Sequence, residues 1–418
     1  MRIAVLIIAG LVGLFGAWWM ASAPPAAIVV GEAVEFAAPP ASLAAVMPSS
    51  DYISLNTERV ALTLPAYDEV VLNAAENRAY VTAVDGWFWE VDLDAGTAAQ
   101  FVDVPLMPAG ARLAPDNDGL IYFCASRLYG ADYPASDRVG LYQLDVNTKE
   151  VTPLVLDVPQ APAPGGAAVV YLHDGGPRLG RNEASDENSR PVAFCNDLDV
   201  SADGRRIYFT EPFAYDNPSM GGAGTYREAI ALGRNGYIWR YDMDTDEVSL
   251  VARNFTFPDG ILVEDNPAGG VEESLLVNET VKFKLVRIFT GGAKAGRHET
   301  VWENLPGMPD GLDRDGAGRI WVGMIKQRSP VIDWIHNNPW IKPLLLRLPY
   351  NLMPSDRATS LLALSPDGAQ PLFYSEHDGS VLTEISVVIP GRTGLYIATV
   401  GHDSKGLYSV PYPDELTP

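Results

Sequence analysis

One short unit recurs along this chain, and it limits what the chain can fold into. Residues 257–260 (Phe-Pro-Asp-Gly) lead into an apolar run, residues 308–311 (Met-Pro-Asp-Gly) do so again further on, and residues 195–197 (Cys-Asn-Asp) open a related segment. Each copy places an Asp or Asn directly before a run that is able to join a β-sheet. Such recurrence indicates a repeat architecture, in which every unit buries its apolar face against a neighbour.

Short β-runs separated by Gly, Asp and Asn turns fill most of the chain beyond the N-terminal region. Residues 67–72, 78–83 and 86–93 form the first group, and comparable groups follow as far as residues 406–410. The groups recur at roughly 45 to 75 residues with about four strands each, which is typical of propeller blades that carry insertions. A β-sandwich would also contain short strands, but it would not repeat one strand-opening unit. We therefore predict an all-β fold, a six-bladed β-propeller formed by residues 61–418.

The N-terminal segment is apolar and predicts export. Residues 3–20 contain no charge and follow Arg2, as in the core of a signal peptide or in a membrane span. The sequence Ala-Ser-Ala at 21–23 resembles a cleavage site, but Pro24 would then begin the mature protein. We therefore favour an uncleaved anchor over a cleaved signal for residues 1–23. Arg2 on the cytoplasmic side would place the rest of the chain in the periplasm or outside the cell.

Two further segments lie outside the β-pattern. Residues 24–60 are rich in Ala and Pro and predict a tether that ends in an edge strand. Residues 331–354 contain Trp334 and Trp340 among apolar and basic residues, which predicts a short helical insertion. We expect this insertion either to form a lid over the propeller face or to lie in the membrane interface beside the anchor.

Charge and cysteine content exclude some functions and leave one question open. The formal net charge is −23, a field that repels phosphate backbones and attracts cations, so no nucleic-acid partner is expected. The chain has two cysteines, Cys124 and Cys195, without the paired spacing of a zinc or thioredoxin-like site. They are either inert buried thiols or, in an oxidising compartment, a single disulfide.

The repeated Asp and Asn residues acquire a function if the chain is a propeller. The innermost strand of every blade starts near the central channel, so the side chains at these starts converge although they are distant in sequence. The oxygen ligands at these starts are Asp68 or its neighbour Glu69, Asn196, Asp259 and Asp310. Hard oxygen donors are the ligands of calcium, whereas zinc favours His or Cys.

Turn formation is the alternative explanation for these residues, because Asp-Gly and Asn-Asp are common turn formers. Recurrence at the same position of successive units favours a metal ion instead. Carboxylates buried together at a channel mouth repel one another unless a cation neutralises them. We therefore predict one Ca2+ at the channel mouth.

Several runs resemble a known family. The runs 240–242 (Arg-Tyr-Asp), 258–260 (Pro-Asp-Gly) and 276–280 (Leu-Val-Asn-Glu-Thr) resemble strictosidine synthase-like proteins, a family that includes the membrane-anchored adipocyte plasma membrane-associated protein group. The strand openings at 196–197 and 309–311 resemble the wider group of six-bladed propellers formed by gluconolactonases, paraoxonases and diisopropyl-fluorophosphatases. The resemblance extends from the first predicted blade to the C-terminus.

The resemblance implies which residues hold the ion. The first-blade acid falls at Asp68, the third-blade Asn at Asn196 and the fifth-blade Asp at Asp310. The fourth-blade ligand, commonly Asn in the group, is Asp259 here, and its extra charge is expected to tighten calcium binding and to weaken the Lewis acidity of the ion. The late glutamate of the plant enzymes that condense an amine with an aldehyde falls near Val387, so this condensation is not expected.

The function that these residues indicate is calcium-dependent hydrolysis of a lactone or ester, in which the ion polarises the carbonyl oxygen. Asp310 is the first candidate for general base or nucleophile, Asp259 is able to share that role, and His402 is a further candidate base. No Gly-x-Ser-x-Gly elbow occurs in the sequence. The alternative is a non-catalytic propeller that calcium stabilises and that binds an apolar small molecule or a partner protein.

Overall fold

The computed structural model describes residues 2–24, 28–161, 169–172, 176–215, 218–265, 272–349, 352, 356–403 and 405–417, and of residues 2–11, 170, 265, 272 and 273 it describes the backbone alone. The strands of the first half of the chain are β1 (Glu58–Ala61), β2 (Tyr67–Leu72), β3 (Arg78–Ala83), β4 (Trp87–Asp92), β5 (Thr97–Asp103), β6 (Met107–Ala114), β7 (Asn117–Ser126), β8 (Gly140–Asp145), β9 (Glu150–Val155), β10 (Asp157–Pro159), β11 (Val170–Tyr171), β12 (Arg178–Gly180), β13 (Ser189–Pro191), β14 (Leu198–Val200) and β15 (Arg206–Glu211).

The strands of the second half follow the same spacing. They are β16 (Gly236–Asp242), β17 (Glu247–Phe255), β18 (Pro258–Asp265), β19 (Glu272–Glu279), β20 (Lys284–Phe289), β21 (His298–Trp302), β22 (Gly307–Arg314), β23 (Ile320–Gln327), β24 (Thr359–Leu364), β25 (Pro371–His377), β26 (Ile385–Pro390), β27 (Leu395–Thr399) and β28 (Leu407–Val410). The helices are α1 (Arg2–Ala21), α2 (Ala41–Ala45), α3 (Tyr52–Asn56), α4 (Gly222–Ala231), α5 (Pro330–Asn337) and α6 (Lys342–Leu345).

Consecutive strands pair antiparallel into sheets. The strands β6–β9, β18–β21 and β22–β25 each form a four-stranded sheet, and β14–β17 form another to which β11 and β12 add. The remaining large sheet has the order β1-β28-β27-β2-β3-β4-β5, with β26 paired to β27. Among the described strands, β2, β6, β14, β18, β22 and β26 contact one another in that order, and β26 returns to β2. The result is an all-β, propeller-like fold around a ring of inner strands.

The number of blades depends on how the eight-stranded sheet is divided. A single residue pair, Tyr67 with Thr399, joins β2 to β27 and makes one sheet of what are otherwise two antiparallel groups. Six blades correspond to counting these groups separately, and this count stays a prediction. The predicted edge strand is present as β1, which pairs with β28 and so completes a sheet whose other strands come from the C-terminus. Hydrogen bonds between the two ends of the chain thereby close the ring.

Apolar side chains fill the spaces between neighbouring sheets. Phe88 and Phe123 meet edge to face between the first two sheets, with ring centroids 5.0 Å apart. Trp239 and Trp321 are fully buried at comparable places further along the chain. Burial of side chains of this size stabilises a fold by roughly 1.5–3 kcal/mol each, and this packing holds neighbouring sheets together.

The connections that carry helices lie on the side of the molecule where the inner strands begin. In an antiparallel sheet the link between the second and third strands returns to the side on which the first strand starts, and α4 lies in such a link between β15 and β16. The predicted helical insertion is present between β23 and β24 as α5 and α6. Ser329 caps α5 and Pro330 occupies its first turn. Residues 350, 351 and 353–355 of the predicted insertion lie outside the described part.

The predicted tether is packed onto the protein instead of extending away from it. The amide of Gly31 donates to the carbonyl of Ala231 at 2.8 Å, and the amide of Val34 donates to the carbonyl of His336 at 3.0 Å. Residues 28–36 therefore run between α4 and α5. We call them the N-terminal strap.

The N-terminal anchor expected from the sequence is not shown. Residues 2–21 form α1, but the side chains of residues 2–11 lie outside the described part. Among the helices whose side chains are described, none has the length and apolar character needed to cross a membrane.

Candidate functional site

Three of the predicted ligands share one irregular position on the inner strands, and the fourth, Asn196, lies just before strand β14. The register of strand pairing shifts across the residues that contain Asp68 on β2, Asp259 on β18 and Asp310 on β22. The same shift occurs on β6 and β26, across Ala109 and Ser386. A bulge of this kind bends the strand and turns a side chain away from the regular alternation. Equivalent side chains of different sheets therefore face one another inside the ring.

The Pro-Asp-Gly unit has a physical explanation at these bulges. Proline is tolerated at the first residue of a strand, as at Pro258, because the ladder needs no donor there. A side chain at Gly260 would overlap the carbonyl oxygen of Asp310, and one at Gly311 would overlap the side chain of Val387. The glycines let neighbouring inner strands approach closely, and the Asp between them faces the ring.

Asp68, Asn196, Asp259 and Asp310 form what we call the upper ring. The amide nitrogen of Asn196 contacts a carboxylate oxygen of Asp259, whose other oxygen accepts a hydrogen bond from Thr280 at 3.4 Å. Asp259 and Asp310 are hydrogen-bonded to each other through their side chains. These three residues therefore make direct contacts, in agreement with the predicted convergence of strand starts.

Asp68 lies at the far edge of the upper ring. Its Oδ1 atom accepts a hydrogen bond from the Ser386 hydroxyl at 2.7 Å, and its charge raises the pKa of both Asp259 and Asp310. The three carboxylates do not form a group whose ligand atoms all lie within 4.8 Å of one another in the described part of the chain. Asp68 thus belongs to the same electrostatic site, although its carboxylate does not lie within 4.8 Å of both other carboxylates.

Burial and mutual repulsion dominate the electrostatics of the upper ring. Burial raises the pKa of Asp259 to about 7 and that of Asp68 to about 6. Burial and the charge of Asp259 raise the pKa of Asp310 well above its ordinary value. Among the described residues, no Lys or Arg forms a salt bridge with these three carboxylates. Three buried carboxylates and an amide oxygen are a donor set that suits a hard cation such as calcium.

The lower ring lies next to the upper ring along the channel, and it is organised around a positive charge. It consists of Arg112 and Asp313, each three residues after the bulge position of its strand, of Asp199, three residues after Asn196, and of Glu69. Arg112 forms a salt bridge with the fully buried Glu69, and its Nε atom is 3.7 Å from Asp199. Burial raises the pKa of Asp199 to about 6 and raises that of Asp313, while the charge of Arg112 opposes both shifts.

Two predicted site residues are not brought to the upper ring. Glu69 follows Asp68 directly, but its carboxylate turns to Arg112, so we leave it out of the proposed ligand set. His402 is exposed in the turn after β27, and none of the hydrogen bonds among the described residues joins it to the upper ring. The turn keeps it on the rim, because Gly401 packs against Thr383.

Several residues near the site were missed by the sequence analysis. Asn278 accepts a hydrogen bond from the amide of Asp259 at 3.2 Å and donates to the carbonyl of Asp310, so it ties the two bulges together. Thr280 and Ser386 donate to carboxylates of the upper ring. The run 276–280 could have indicated Asn278, and the Pro-x-Gly spacing at 108–110 could have indicated the strand start that precedes Arg112. Ser386 has no Pro or Gly beside it, so no comparable pattern indicates it.

A second acidic group does not suit a metal. Asp51, His377 and Asp378 bring ligand atoms within 4.8 Å of one another. The Nε2 atom of His377 accepts hydrogen bonds from the amides of Val381 and Leu382, at 3.2 and 3.0 Å, which leaves Nδ1 as the N–H that donates to Asp51 at 2.8 Å. With both ring nitrogens engaged, this histidine is a structural link between β25 and α3.

A disulfide fixes the segment that carries Asn196. Cys124 on β7 is joined to Cys195, with Cα atoms 5.1 Å apart. The Ser126 hydroxyl donates to the carbonyl of Cys195 at 2.7 Å and accepts from its amide at 2.9 Å. A cross-link across a loop of this length stabilises a fold by about 4 kcal/mol in the chain-entropy account. It also limits movement of the neighbouring ligand.

Aromatic side chains adjoin the upper ring. Phe194 and Phe257 each lie two residues before a ring member, and both pack on Phe213, with centroids 5.0 and 5.6 Å apart. Val34 and Phe36 of the N-terminal strap pack against the same cluster. Phe257 has φ 53°, a left-handed conformation that costs about 1–2 kcal/mol and that this packing maintains. The strap therefore covers the apolar side of the channel mouth.

The fold agrees with the similarities of this chain to known proteins. No protein-family profile matches it. It is 34% identical over 164 residues to the adipocyte plasma membrane-associated protein of Danio rerio, covering 38% of this chain and 37% of that one. It is 32% identical over 218 residues to the protein of the same name from Homo sapiens, covering 50% of each. It is 30% identical over 237 residues to a strictosidine synthase-like 13 protein of Arabidopsis thaliana, covering 55% and 53%.

The chain thus has homologues named adipocyte plasma membrane-associated protein and strictosidine synthase-like 13, and it matches about 37 to 53% of the length of these curated relatives. Among solved structures, a gluconolactonase from Xanthomonas campestris superposes with a TM-score of 0.52 at 14% identity, covering 94% of this chain and 98% of that one. A luciferin-regenerating enzyme superposes with a TM-score of 0.52 at 11% identity, covering 86% and 95%. These neighbours agree with the propeller-like fold.

Proposed function

We propose that this protein is a calcium-dependent hydrolase of lactones or esters, with the ion held by the upper ring at the mouth of a six-bladed propeller. The observation that carries the proposal is the convergence of Asp68, Asp259 and Asp310 on bulges of the inner strands, buried and without a salt bridge from a described basic residue. Asn196 completes the set if its amide presents oxygen to the ion. The gluconolactonase among the structural neighbours supports the same reaction class.

Asp310 is the proposed general base or nucleophile. A bound calcium ion would polarise the substrate carbonyl and stabilise the negative charge that develops on its oxygen. Without an ion, burial and the adjacent Asp259 raise the pKa of Asp310; a bound cation would oppose that shift and keep the carboxylate ionised, as a general base requires. The contacts of Asn196 and Thr280 hold Asp259 in place beside it. Asp310 would accept the proton of an attacking water, or attack the carbonyl carbon itself.

The surroundings of the upper ring favour an apolar substrate. Phe194, Phe213 and Phe257 form the wall beside the ring, and Phe36 contributes from the N-terminal strap. An alkyl or aryl group would replace contacts that these rings now make with the strap. Val387 is buried against Gly311, in the place where the resemblance would require a glutamate for amine condensation, so that reaction remains disfavoured.

The proposal is tested by metal analysis and hydrolysis assays on the full-length protein in detergent. Calcium content is measured after dialysis, and an aryl acetate and a medium-chain lactone are assayed with and without a chelator. We expect hydrolysis that depends on calcium, its loss in Asp310→Asn, and full activity in Asp378→Asn, which changes an exposed carboxylate. Absence of bound calcium, or unchanged hydrolysis in Asp310→Asn, would refute the proposal.

The second candidate is a calcium-stabilised propeller without catalysis, and the position of the N-terminal strap favours it. Val34 and Phe36 occupy the apolar side of the mouth, where a substrate would lie. In that case an apolar molecule or a partner segment would bind there and calcium would act as a structural ion. Calcium binding with no hydrolysis of any ester or lactone, together with tight binding of an apolar dye at the mouth, would support this candidate.

We also propose that the protein lies at a membrane, on its periplasmic or extracellular side. Val331, Trp334 and Trp340 of the α5–α6 region are exposed, and Arg347 stacks over Trp19 of α1. The exposed apolar groups of α1 and of the insertion are therefore on the same side, which suits contact with lipid. Co-flotation with phosphatidylcholine vesicles is expected for the full chain and should weaken in the Trp334→Ser, Trp340→Ser double variant. Equal flotation of both proteins would contradict insertion of these tryptophans.

A further inference from the structure

Arg112 occupies an unusual place in the ring of inner strands. It lies on β6, whose bulge carries Ala109 where other strands carry an upper-ring ligand. Its side chain is 14% exposed, and it reaches across the channel to residues of three other sheets. The long side chain of Arg112, on the strand whose bulge carries no ligand, therefore occupies the centre of the lower ring.

The contacts of Arg112 connect to the bulges that hold the upper ring. Its Nη1 atom pairs with Glu69, the residue after Asp68, and the other oxygen of Glu69 accepts from the amide of Val70 at 2.9 Å. Its Nη2 atom donates to the carbonyl of Leu312 at 2.8 Å, two residues after Asp310. One guanidinium thus contacts the residues that directly follow the bulges of Asp68 and Asp310.

The third bulge is reached through the neighbouring carboxylates. The Nε atom of Arg112 is 3.7 Å from Asp199, whose Oδ2 atom accepts from the amide of Val263 at 2.6 Å. Asp197 accepts in the same way from the amide of Ile261 at 3.1 Å. These amides follow Asp259 on β18. Removal of the Arg112 guanidinium would leave the negative charges of Asp197 and Asp199 without a neighbouring positive charge.

We infer that Arg112 is a positioning residue for the upper ring: it fixes the three bulges that present Asp68, Asp259 and Asp310, and so preorganises the metal centre without contacting the ion. The effect on metal binding rests on the proposed function, whereas the positioning of the bulges by Arg112 does not depend on it. Residues that support metal ligands from behind commonly contribute about 10 to 100-fold to metal affinity.

The test compares Arg112→Met with Arg112→Lys and with a matched control. The control is Arg190→Met, because Arg190 also forms a two-fold hydrogen-bonded pair with a fully buried acid, Glu211, away from the bulges. Hydrogen exchange of the full-length protein in chelator is followed by mass spectrometry for peptides that contain residues 69–71, 261–263 and 312–314. Calcium affinity is measured by titration calorimetry with the chloride salt.

We expect Arg112→Met to speed exchange in all three peptides and to raise the calcium Kd by about tenfold or more, whereas Arg190→Met leaves both unchanged. Arg112→Lys keeps the positive charge and serves as the test variant if Arg112→Met does not fold. It should have a calcium affinity between those of Arg112→Met and the native protein. Unchanged exchange and affinity in both Arg112 variants, or equal effects in Arg190→Met, would overturn the inference while the proposed function stands. Faster exchange specific to Arg112 in a protein that binds no calcium would support the positioning and refute the proposed function.

Discussion

The upper and lower rings contain similar acids but resolve their repulsion differently. In the upper ring Asp259 and Asp310 are hydrogen-bonded to each other, and burial raises the pKa of both. In the lower ring Arg112 pairs with Glu69 and lies beside Asp199. The lower ring therefore carries its own cation in the chain, whereas the upper ring has a charge that a bound ion would neutralise. The difference supports our proposal that the upper ring binds a cation, whereas the lower ring is structural.

The largest expected effect comes from removing the cation of the lower ring. Arg112→Met leaves Glu69 as an uncompensated buried charge, so we expect a loss of about 3–5 kcal/mol in the free energy of unfolding. Urea denaturation of both proteins in chelator measures it. Addition of calcium should not restore the loss. A decrease in the free energy of unfolding of less than about 1 kcal/mol would show that the Arg112 charge does not stabilise the lower ring.

A buried acid outside both rings provides a reference for the cost of burial without a cation. Burial raises the pKa of Glu228 to about 7, and its partner is the neutral amide of Asn235, at 2.8 Å. Because the folded pKa is raised, its contribution to stability is present below the unfolded value and is lost as pH rises through about 7. Glu228→Gln should remove that loss, so the variant gains about 3 kcal/mol relative to the native protein between pH 5 and pH 8.

Unfolding curves at several pH values check this prediction. Glu303→Gln serves as the control, because it changes an exposed carboxylate. A difference between the Glu228 variant and the native protein that does not vary with pH would contradict it.

Removal of a proposed upper-ring ligand should weaken ion binding without the structural loss seen in the lower ring. For Asp310→Asn we expect the calcium Kd to rise about 100-fold, which is about 2.7 kcal/mol of binding free energy. Calorimetric titration at neutral pH measures the change. If affinity falls equally in Asp313→Asn, the lower ring also contacts the ion and the distinction between the rings fails.

The smallest effect is predicted for stability in the absence of calcium. Asp259→Asn removes one of two adjoining buried carboxylates, so the variant in chelator should be more stable than the native protein by about 1–2 kcal/mol. In saturating calcium the order should reverse, because the variant loses a charged ligand. Thermal unfolding of both proteins in chelator and in saturating calcium measures the difference. A variant that is less stable than the native protein in both conditions would contradict repulsion within the upper ring.

Much of the fold and part of the site could be predicted from local sequence. The Pro-Asp-Gly units indicated strand starts because proline, a turn-forming acid and a small residue suit a bulge at the start of an inner strand. The strands of the first group and the helical insertion were found from alternation and composition. Asp68, Asn196, Asp259 and Asp310 were predicted together because equivalent positions of repeats meet in a ring.

Other features depend on which strands are neighbours, and no local pattern contains that information. Glu69 was grouped with Asp68, but the bulge turns it to Arg112. Arg112 itself had no predicted role, since its partners are 43 residues away at Glu69 and 200 residues away at Leu312. The N-terminal strap was expected to be a tether, because alanine and proline content does not report the aromatic cluster onto which it packs.

The sequence by itself determined the repeat, the antiparallel strands and the residue types that face the channel, because these follow from periodicity and turn chemistry within short segments. The tertiary structure decided which acid receives an internal cation and which acids are left to one another. It also decided that Cys124 and Cys195 form a disulfide and that the strap covers the mouth. These outcomes depend on distances across the ring, which closure of the sheets sets.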